Sequence, residues 1–116
     1  MSPDFSRPSD SLLALAAMHC THGAAKLGSD ALDAHLAALP EWSRDGERIE
    51  KTYRFGNYGE TLGFVNALGW IANREDHHPD LTVSFNRCHV AWSTHDAGGV
   101  TLNDVVCAAK TDRLLA

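Results

Sequence analysis

The sequence predicts a single α+β domain, a four-stranded antiparallel sheet with helices packed mainly on one face. Three observations predict it. In two segments, apolar residues recur every three or four positions, as on the buried face of a helix. Four shorter segments alternate between apolar and polar residues, as in half-buried strands. These four come in adjacent pairs joined by turn residues, which is typical of antiparallel hairpins. The 116 residues are enough for one core.

The first 27 residues are predicted to be an N-terminal extension, and residues 28–116 the domain itself. The opening stretch MSPDFSRPSD is polar and holds two prolines, which indicates a loose tail. Ser11 is expected to cap a short helix that runs to Met18, before the loop THGAAKLG. Ser29 is expected to cap a second helix that Pro40 ends. The apolar stripe of that helix is predicted to be Leu32, Leu36 and Leu39.

The domain core is predicted to follow the order α-β-β-α-β-β-α. Asp45-Gly46 is a hairpin signal between the first two strands. Asn57 should cap the longest helix, about residues 58–76. Strands at about 81–86 and 88–94 follow. Thr101, with Asp104 three residues later, predicts a capping box that opens a last helix to Leu115. The buried stripe of the long helix is predicted to be Leu62, Val65, Leu68, Ile71 and Ala72.

Alternation along the second strand pair predicts which side chains share a face. Leu81, Val83 and Phe85 are expected to lie on one side of the sheet, opposite Thr82 and Ser84. On the next strand, two sets are expected to lie on opposite faces: Cys88, Val90 and Trp92 on one, and His89, Ala91, Ser93 and His95 on the other. One face should therefore carry the helices, and the other is polar.

Composition disfavours several classes of function. Ten basic and fifteen acidic side chains give a net charge of −5, which disfavours binding to nucleic acid or to an anionic membrane. No apolar run approaches the roughly 20 residues of a membrane span. Three cysteines, an odd number without a CxxC pair, favour a reducing compartment over a disulfide framework. A cytoplasmic protein is expected.

The stretch REDHHPDL is the strongest chemical signal in the chain. Pro79 disfavours helical geometry at the preceding residue, so the long helix should end near His77, with His77 in its last turn and His78 already extended. The helix dipole and the nearby Glu75 and Asp76 favour protonated His77, whereas burial opposes it. A pKa near neutrality would suit general acid–base chemistry.

A third histidine follows the last predicted strand, in STHDAGG. Side chains at the end of a strand, beside a glycine-rich turn, often form sites because backbone can approach a ligand there. Adjacent histidines lack the spacing that places two metal ligands on one helix face, and the CxH pair of Cys20 and His22 has no second half. No metal site is therefore predicted. The remaining four histidines are interpreted as surface or structural residues: His19, His22, His35 and His89.

These motifs resemble those of the pterin-4a-carbinolamine dehydratases, also called 4a-hydroxytetrahydrobiopterin dehydratases. The family's elements appear in this chain as DHHPDL, FNRCHVAWSTHD and AGGVTLNDVVCAAKTDRL. His77 and His95 are eighteen residues apart, and His77 and Asp104 twenty-seven apart, as the family pattern requires. IEKTYRF and the helix after it match the upstream half. The resemblance covers about residues 28–115.

The resemblance implies a lyase that uses no cofactor, since the pterin is the substrate. That substrate is a tetrahydropterin with a hydroxyl group at C4a, left by aromatic amino-acid hydroxylases, and loss of water gives the quinonoid dihydropterin. A protonated imidazole would assist departure of the hydroxyl, and a basic group would accept the proton from N5. A functional link to an aromatic amino-acid hydroxylase follows from the same resemblance.

The family's roles fall on matching positions of this chain. His77 and His95 correspond to the acid–base pair, with the choice of acid left open, and His78 to a residue that orients the substrate. Asp104 corresponds to a residue that holds the substrate or a catalytic histidine; an interpretation as a helix cap alone stays equally open. The other substrate-binding positions implied are Pro79, Thr94, Asp96 and Ala97.

The chain departs from the family pattern at four positions. Asn73 stands where many members have Glu, Leu81 where an aromatic residue is frequent, Phe85 where tyrosine is usual and Val100 where leucine is common. These departures concern pterin preference and turnover rather than the reaction class.

The resemblance also implies a homodimer or a dimer of dimers. Some family members act as dimerisation cofactors of a homeodomain transcription factor. The alternative function is therefore a non-catalytic module that binds a pterin or promotes protein dimerisation.

Overall fold

The computed structural model describes residues 8–115, with side chains from residue 11 onward. In this part of the chain the predicted order of elements is confirmed. The elements are α1 (Pro8–Ala16), α2 (Ser29–Leu36), β1 (Ser43–Asp45), β2 (Arg48–Arg54), α3 (Tyr58–Glu75), β3 (Asp80–Ser84), β4 (Arg87–Trp92) and α4 (Leu102–Arg113). A single 3₁₀ turn, His95–Ala97, lies between β4 and α4.

The four strands form one antiparallel sheet in the order β1-β2-β4-β3. The second hairpin therefore places β4 beside β2 and leaves β3 at an edge. In the register, Val90 of β4 lies opposite Lys51 on one side and Leu81 on the other. Cys88, Val90 and Trp92 are fully buried on the helix-bearing face, as the alternation predicted.

One hydrophobic core lies between this sheet face and the helices. Leu68 of α3, Val105 and Ala108 of α4, and Ile49 of β2 are all inaccessible to solvent. The predicted α2 stripe contributes Leu32 and Leu39, which are 2% and 1% exposed. The α+β class with helices on one face is thus confirmed.

α1 begins earlier than predicted, and the N-cap of α2 is a different residue from the predicted one. α1 begins at Pro8 and ends at Ala16, so Ser11 lies inside the helix and does not cap it. Proline is favoured in a first helical turn because its φ is already helical and its missing N–H would have no partner there. At α2 the N-cap is Gly28, and Ser29 is the first helical residue. The predicted tail falls largely outside the described residues.

α3 starts as predicted but buries a different stripe. The side chain of Asn57 accepts a hydrogen bond from the backbone N–H of Glu60 at 2.8 Å, which is the expected cap. The buried residues are Thr61, Phe64, Leu68 and Ala72, whereas Leu62 is 38% exposed. The stripe is rotated because a polar residue is buried. The Thr61 hydroxyl shares its one proton between the carbonyl of residue 57, at 2.9 Å, and that of residue 85, at 3.1 Å.

The edge position of β3 explains a second difference. The alternation placed Val83 and Phe85 with Leu81, yet Val83 is 40% and Phe85 65% exposed. Among the described residues no further strand pairs with β3, and Phe85 lies beyond its end, in the turn to β4.

At the other end of the domain, the predicted capping box of α4 is confirmed. Thr101 is its N-cap and Asp104 its third helical residue.

No helix within residues 8–115 is long and apolar enough to cross a membrane. The cytoplasmic location stays a prediction.

Candidate active site

The HHP motif is positioned by a left-handed residue at the end of α3. The helix ends at Glu75, and Asp76 adopts φ 50° and ψ 43°. The backbone N–H of His77 then donates to the carbonyl of Ala72 at 3.1 Å, which closes the end of the helix. His77 therefore lies just beyond α3, not in its last helical turn as predicted. The reversal turns the His77 side chain inward, and it is only 15% exposed.

The central contact of the site joins His77 to α4. Its Nε2 lies 2.6 Å from Oδ1 of Asp104, whose side chain is completely buried. The second oxygen, Oδ2, accepts hydrogen bonds from the Thr94 hydroxyl at 2.8 Å and from the Thr101 backbone N–H at 2.9 Å. The sequence left two roles open for Asp104, a helix cap and a partner of a histidine. Its carboxylate does both, because it caps α4 with one oxygen and contacts His77 with the other.

The hydrogen-bond directions follow from this chain of donors. A carboxylate only accepts, so Nε2 of His77 and the hydroxyl of Thr94 both donate to Asp104. The Thr101 hydroxyl, 2.8 Å from that of Thr94, then donates to it. With Nε2 occupied, Nδ1 is the nitrogen of His77 that remains to exchange a proton with a ligand. This is the arrangement in which a third group orients a catalytic base or acid.

The electrostatics of His77 are set by Asp104 rather than by the helix end. The hydrogen bond that His77 donates to Asp104 raises the pKa of His77, and this outweighs burial, which lowers it. The negative charge of Asp104 adds to the rise. From the sequence, the preference for protonated His77 was expected to come from the α3 dipole and from Glu75 and Asp76. The imidazole also stacks on the buried indole of Trp92, with ring centroids 5.5 Å apart and planes 15° apart.

A cavity of about 370 Å³ opens beside His77. Three parts of the chain line it, together with Asn103 at the start of α4. They are the end of α3 (Glu75, Asp76 and His77), the turn after β4 (Thr94, Asp96 and Ala97) and the loop after α1 (residues 20–24). The volume lies within the range of ordinary small-molecule sites.

The structure brings five of the predicted site residues together: His77, Thr94, Asp96, Ala97 and Asp104. The other three lie elsewhere around this region. His78 and His95 are exposed, Pro79 is partly buried, and none of the three lines the cavity. β4 ends at Trp92, earlier than predicted, and His95 begins the 3₁₀ turn that follows.

The loop after α1 is the part of the site that the sequence prediction missed. The prediction assigned residues 20–24 to the N-terminal extension, whereas in the structure they border the cavity. The backbone N–H of Cys20 donates to Oε1 of Glu75 at 2.7 Å, across 55 residues of sequence. The only local signal was the run of small and polar residues in THGAA, which also describes an ordinary loop.

Cys20, the first residue of this loop, contacts a second cysteine, Cys107 of α4. The Sγ atoms of Cys20 and Cys107 are 3.4 Å apart. The hydrogen bond from Cys107 lowers the pKa of Cys20 against the effect of burial, and His77 pushes in the same direction. The interaction with Cys20 and burial raise the pKa of Cys107. Cys20 is therefore the more acidic thiol of the pair.

Metal-ligating side chains do not converge in the described part of the chain. No group of three His, Cys, Asp or Glu side chains within residues 11–115 is placed to hold a metal ion. His19 and His89 are hydrogen-bonded, to Glu75 and to Thr52 and Glu50 respectively, as expected for structural histidines.

The chain is similar to known proteins over most of its length. The sequence model of one family, described as Pterin 4 alpha carbinolamine dehydratase, matches residues 25–114. A Chromobacterium violaceum protein provisionally named pterin-4-alpha-carbinolamine dehydratase is 56% identical over 99 residues, covering 84% of this chain and 92% of its own. A Stenotrophomonas maltophilia protein with the same provisional name is 52% identical over 91 residues, covering 77% and 78%.

Two solved structures are also similar. One is a transcriptional coactivator/pterin dehydratase from Brucella melitensis, with a TM-score of 0.76 and 28% identity over 78% of this chain and 99% of its own. The second is a pterin dehydratase-like protein identified as a RuBisCO assembly factor in the alpha-carboxysome. Its TM-score is 0.53 at 20% identity, covering 63% of this chain and 84% of its own. That second likeness shows the fold alone.

Proposed function

Because the chain belongs to the pterin 4 alpha carbinolamine dehydratase family, we propose that it dehydrates a 4a-hydroxytetrahydropterin to the quinonoid dihydropterin. The observation that carries the proposal is the hydrogen bond between His77 and the buried Asp104 at the edge of a cavity of about 370 Å³. The reaction is proposed to need no metal or cofactor, because the pterin is itself the substrate.

In the proposed mechanism, protonated His77 is the general acid. Its Nδ1 gives a proton to the C4a hydroxyl, the C–O bond breaks, and water leaves. The N5–C4a double bond forms from the nitrogen lone pair, and the N5 proton passes to a base. Asp104 stabilises the imidazolium and holds its orientation, which is the usual role of a buried carboxylate behind a histidine. A positioned acid of this kind contributes about 10²- to 10⁴-fold.

The other predicted residues are proposed to hold the pterin or accept its proton. His95 is the proposed base for N5, because it directly follows Thr94 on the turn that borders the cavity. His78 and Pro79 are proposed to contact the substrate at the rim. Asp96 and Ala97 line the cavity and are proposed to bind the ring.

The assembly is proposed to be a homodimer or a dimer of dimers. Large apolar side chains are exposed on α3 and at the β3 edge: Tyr58, Leu62, Trp70, Val83 and Phe85. A second copy of the chain would cover them. Light scattering coupled to size exclusion should give a multiple of 12.6 kDa, the mass of one chain. A monomer at micromolar concentration would contradict this part of the proposal.

The activity is tested by following 4a-hydroxytetrahydropterin made in situ by an aromatic amino-acid hydroxylase, the proposed functional partner. We expect the protein to speed its disappearance in a stopped-flow absorbance assay. The His35→Ala variant, altered on α2 away from the cavity, should match the wild type. A folded protein that leaves the spontaneous rate unchanged would reject the dehydratase.

A second candidate function is a protein-binding module, which the description of the Brucella melitensis protein as a transcriptional coactivator favours. The exposed apolar side chains on α3 would serve such binding equally well. Under this alternative, replacing Trp70 by Ala would abolish partner binding. Neither the wild type nor this variant would accelerate the dehydration of the pterin.

A further inference from the structure

Two of the three cysteines are in contact, although one lies in the loop after α1 and the other in the middle of α4. The Sγ atoms of Cys20 and Cys107 are 3.4 Å apart, and 87 residues separate the two positions in sequence. A disulfide holds its sulfur atoms about 2.0 Å apart, so bond formation would bring this pair closer by about 1.4 Å. The third cysteine, Cys88, lies in β4, with its Sγ 4.0 Å from the carbonyl oxygen of His89. The contact therefore singles out one pair of thiols.

The two cysteines of the pair differ in their freedom to move. Cys107 is inaccessible to solvent, and its backbone is part of α4. Cys20 lies outside the helices and strands, and its Sγ is also 3.8 Å from the carbonyl oxygen of Asn103, in the first turn of α4. The approach that a disulfide needs therefore falls on Cys20 and its loop, while α4 keeps its place.

Two side chains hold the loop within reach of α4. Oε1 of Glu75 accepts from the backbone N–H of Cys20 at 2.7 Å. Oδ1 of Asn103 accepts from the Thr21 N–H at 3.0 Å, and its Nδ2 donates to the Thr21 carbonyl at 2.8 Å. Glu75 is only 5% exposed, so water competes little for its bond. The two thiols are thus held together before any reaction, which favours an intramolecular step over an intermolecular one.

The cavity gives a small oxidant access to one thiol and not to the other. Cys20 lines the cavity of about 370 Å³ beside His77, whereas Cys107 is fully buried behind it. The hydrogen bond from Cys107 lowers the pKa of Cys20 and burial raises it, and the charge of His77 adds to the lowering, which prevails. Thiolates are the form of cysteine that oxidants attack. Cys20 therefore has the properties of an attacking thiol, and Cys107 those of the thiol that resolves the product.

We propose that Cys20 and Cys107 form an oxidative modification site, a dithiol that hydrogen peroxide converts to a disulfide. The Cys20 thiolate attacks one peroxide oxygen, so an S–O bond forms, the O–O bond breaks, and the departing hydroxide takes a proton from solvent to become water. The sulfur of Cys107 then attacks the sulfenic sulfur of Cys20. The S–S bond forms, the S–O bond breaks, and the hydroxyl group leaves as water with the proton of the Cys107 thiol. The two sulfurs lose two electrons in total, and the peroxide accepts them.

The proposal goes beyond the dehydratase function and does not depend on it. In the reducing compartment that the cysteine content predicts, the dithiol is the resting form, and a thiol reductant restores it after oxidation. The disulfide would tie the loop after α1 covalently to α4, at the edge of the same cavity that His77 borders. The redox state of the pair would thus set how freely this wall of the cavity moves.

Peptide mapping of the peroxide-treated full chain tests the site. The reduced protein is exposed to a small molar excess of hydrogen peroxide, and free thiols are then alkylated in urea before digestion without reductant. We expect a cross-linked peptide that joins Cys20 to Cys107, with alkylation lost at both positions and retained at Cys88. Dithiothreitol should restore alkylation at Cys20 and Cys107.

Three variants, each checked for folding by circular dichroism, assign the order of the two steps. Cys107→Ala should stop the reaction at a sulfenic acid on Cys20, which dimedone traps. Cys20→Ala should leave the Cys107 thiol free, because it is buried and no longer has a partner to attack. The matched control is Cys88→Ala, which should form the Cys20–Cys107 disulfide at the wild-type rate.

The wild-type protein alone can overturn the proposal. Peroxide that oxidises free glutathione but leaves both thiols of the folded protein alkylatable would do so. A sulfinic acid on Cys20 without a cross-link would show that Cys107 does not resolve the intermediate. A disulfide between the Cys20 residues of two chains, or oxidation of Cys88 at the same rate, would also contradict the assignment of this pair.

Discussion

Nε2 of His77 and Oδ1 of Asp104 lie 2.6 Å apart, although 27 residues separate them in sequence. The contact joins the end of α3 to the start of α4, with Thr94 from the turn after β4 as a further donor. Asp104 is fully buried and also completes the capping box of α4, as its third helical residue. The local requirement of the helix thus fixes the carboxylate in the position that orients the histidine.

Replacing Asp104 by Asn should lower the pKa of His77. The hydrogen bond and charge of the carboxylate favour the imidazolium, and the amide supplies neither charge nor an equivalent acceptor. A histidine-selective NMR titration would measure the shift. An unchanged His77 pKa in a folded Asp104→Asn protein would show that another group controls the histidine.

The His77–Asp104 pair should make the free energy of unfolding depend on pH. Because the folded-state pKa of His77 is raised, its stabilisation is fully present below the ordinary value of about 6.5. It is lost as pH rises through the raised pKa. Urea unfolding of the wild type and His77→Gln between pH 5.5 and 9 should therefore give a difference that shrinks with rising pH. A difference that grows would contradict the assignment.

Replacing Thr94 by Val should destabilise the protein by about 1–3 kcal/mol, because the buried Oδ2 of Asp104 loses a donor. The matched control is Thr82→Val on the edge strand, where the side chain is exposed. It should change the free energy of unfolding by less than about 0.5 kcal/mol. Urea titration would measure both, and equal effects would argue against the network.

Cys20 should react with iodoacetamide faster than the other two cysteines. It lines the cavity and its pKa is lowered, whereas Cys88 and Cys107 are fully buried and their pKa values are raised. Peptide mass spectrometry after brief labelling would measure the order. A bound pterin analogue should slow the reaction at Cys20. Preferential labelling of Cys88 would show that the loop does not occupy the place described.

The parts of the fold that local physics controls were predictable from the sequence. Asn57 and Thr101 cap their helices because a side-chain acceptor beside free backbone N–H groups is a local requirement. Alternation identified the buried face of β4 for a similar reason. The stripe of α3 was misplaced because the burial of Thr61 depends on the carbonyl of Phe85, which is remote in sequence.

The site was less predictable because it depends on contacts between distant residues. The HHP motif identified His77, but its inward direction follows from the left-handed geometry of Asp76, which no residue preference signals strongly. The loop that borders the cavity depends on Glu75 and Asn103, which are 55 and 82 residues from their partners. No periodicity reports contacts of that range.

The most direct test of the central claim is a double-mutant cycle on the dehydration rate. Stopped-flow decay of a 4a-hydroxytetrahydropterin would be compared for the wild type, His77→Gln, Asp104→Asn and the double variant, each checked for folding. If the two residues act as one unit, His77→Gln should lose about 10²-fold or more, and the double variant should be no slower than His77→Gln. Losses that multiply in the double variant, or a His77→Gln protein as fast as the wild type, would contradict the account.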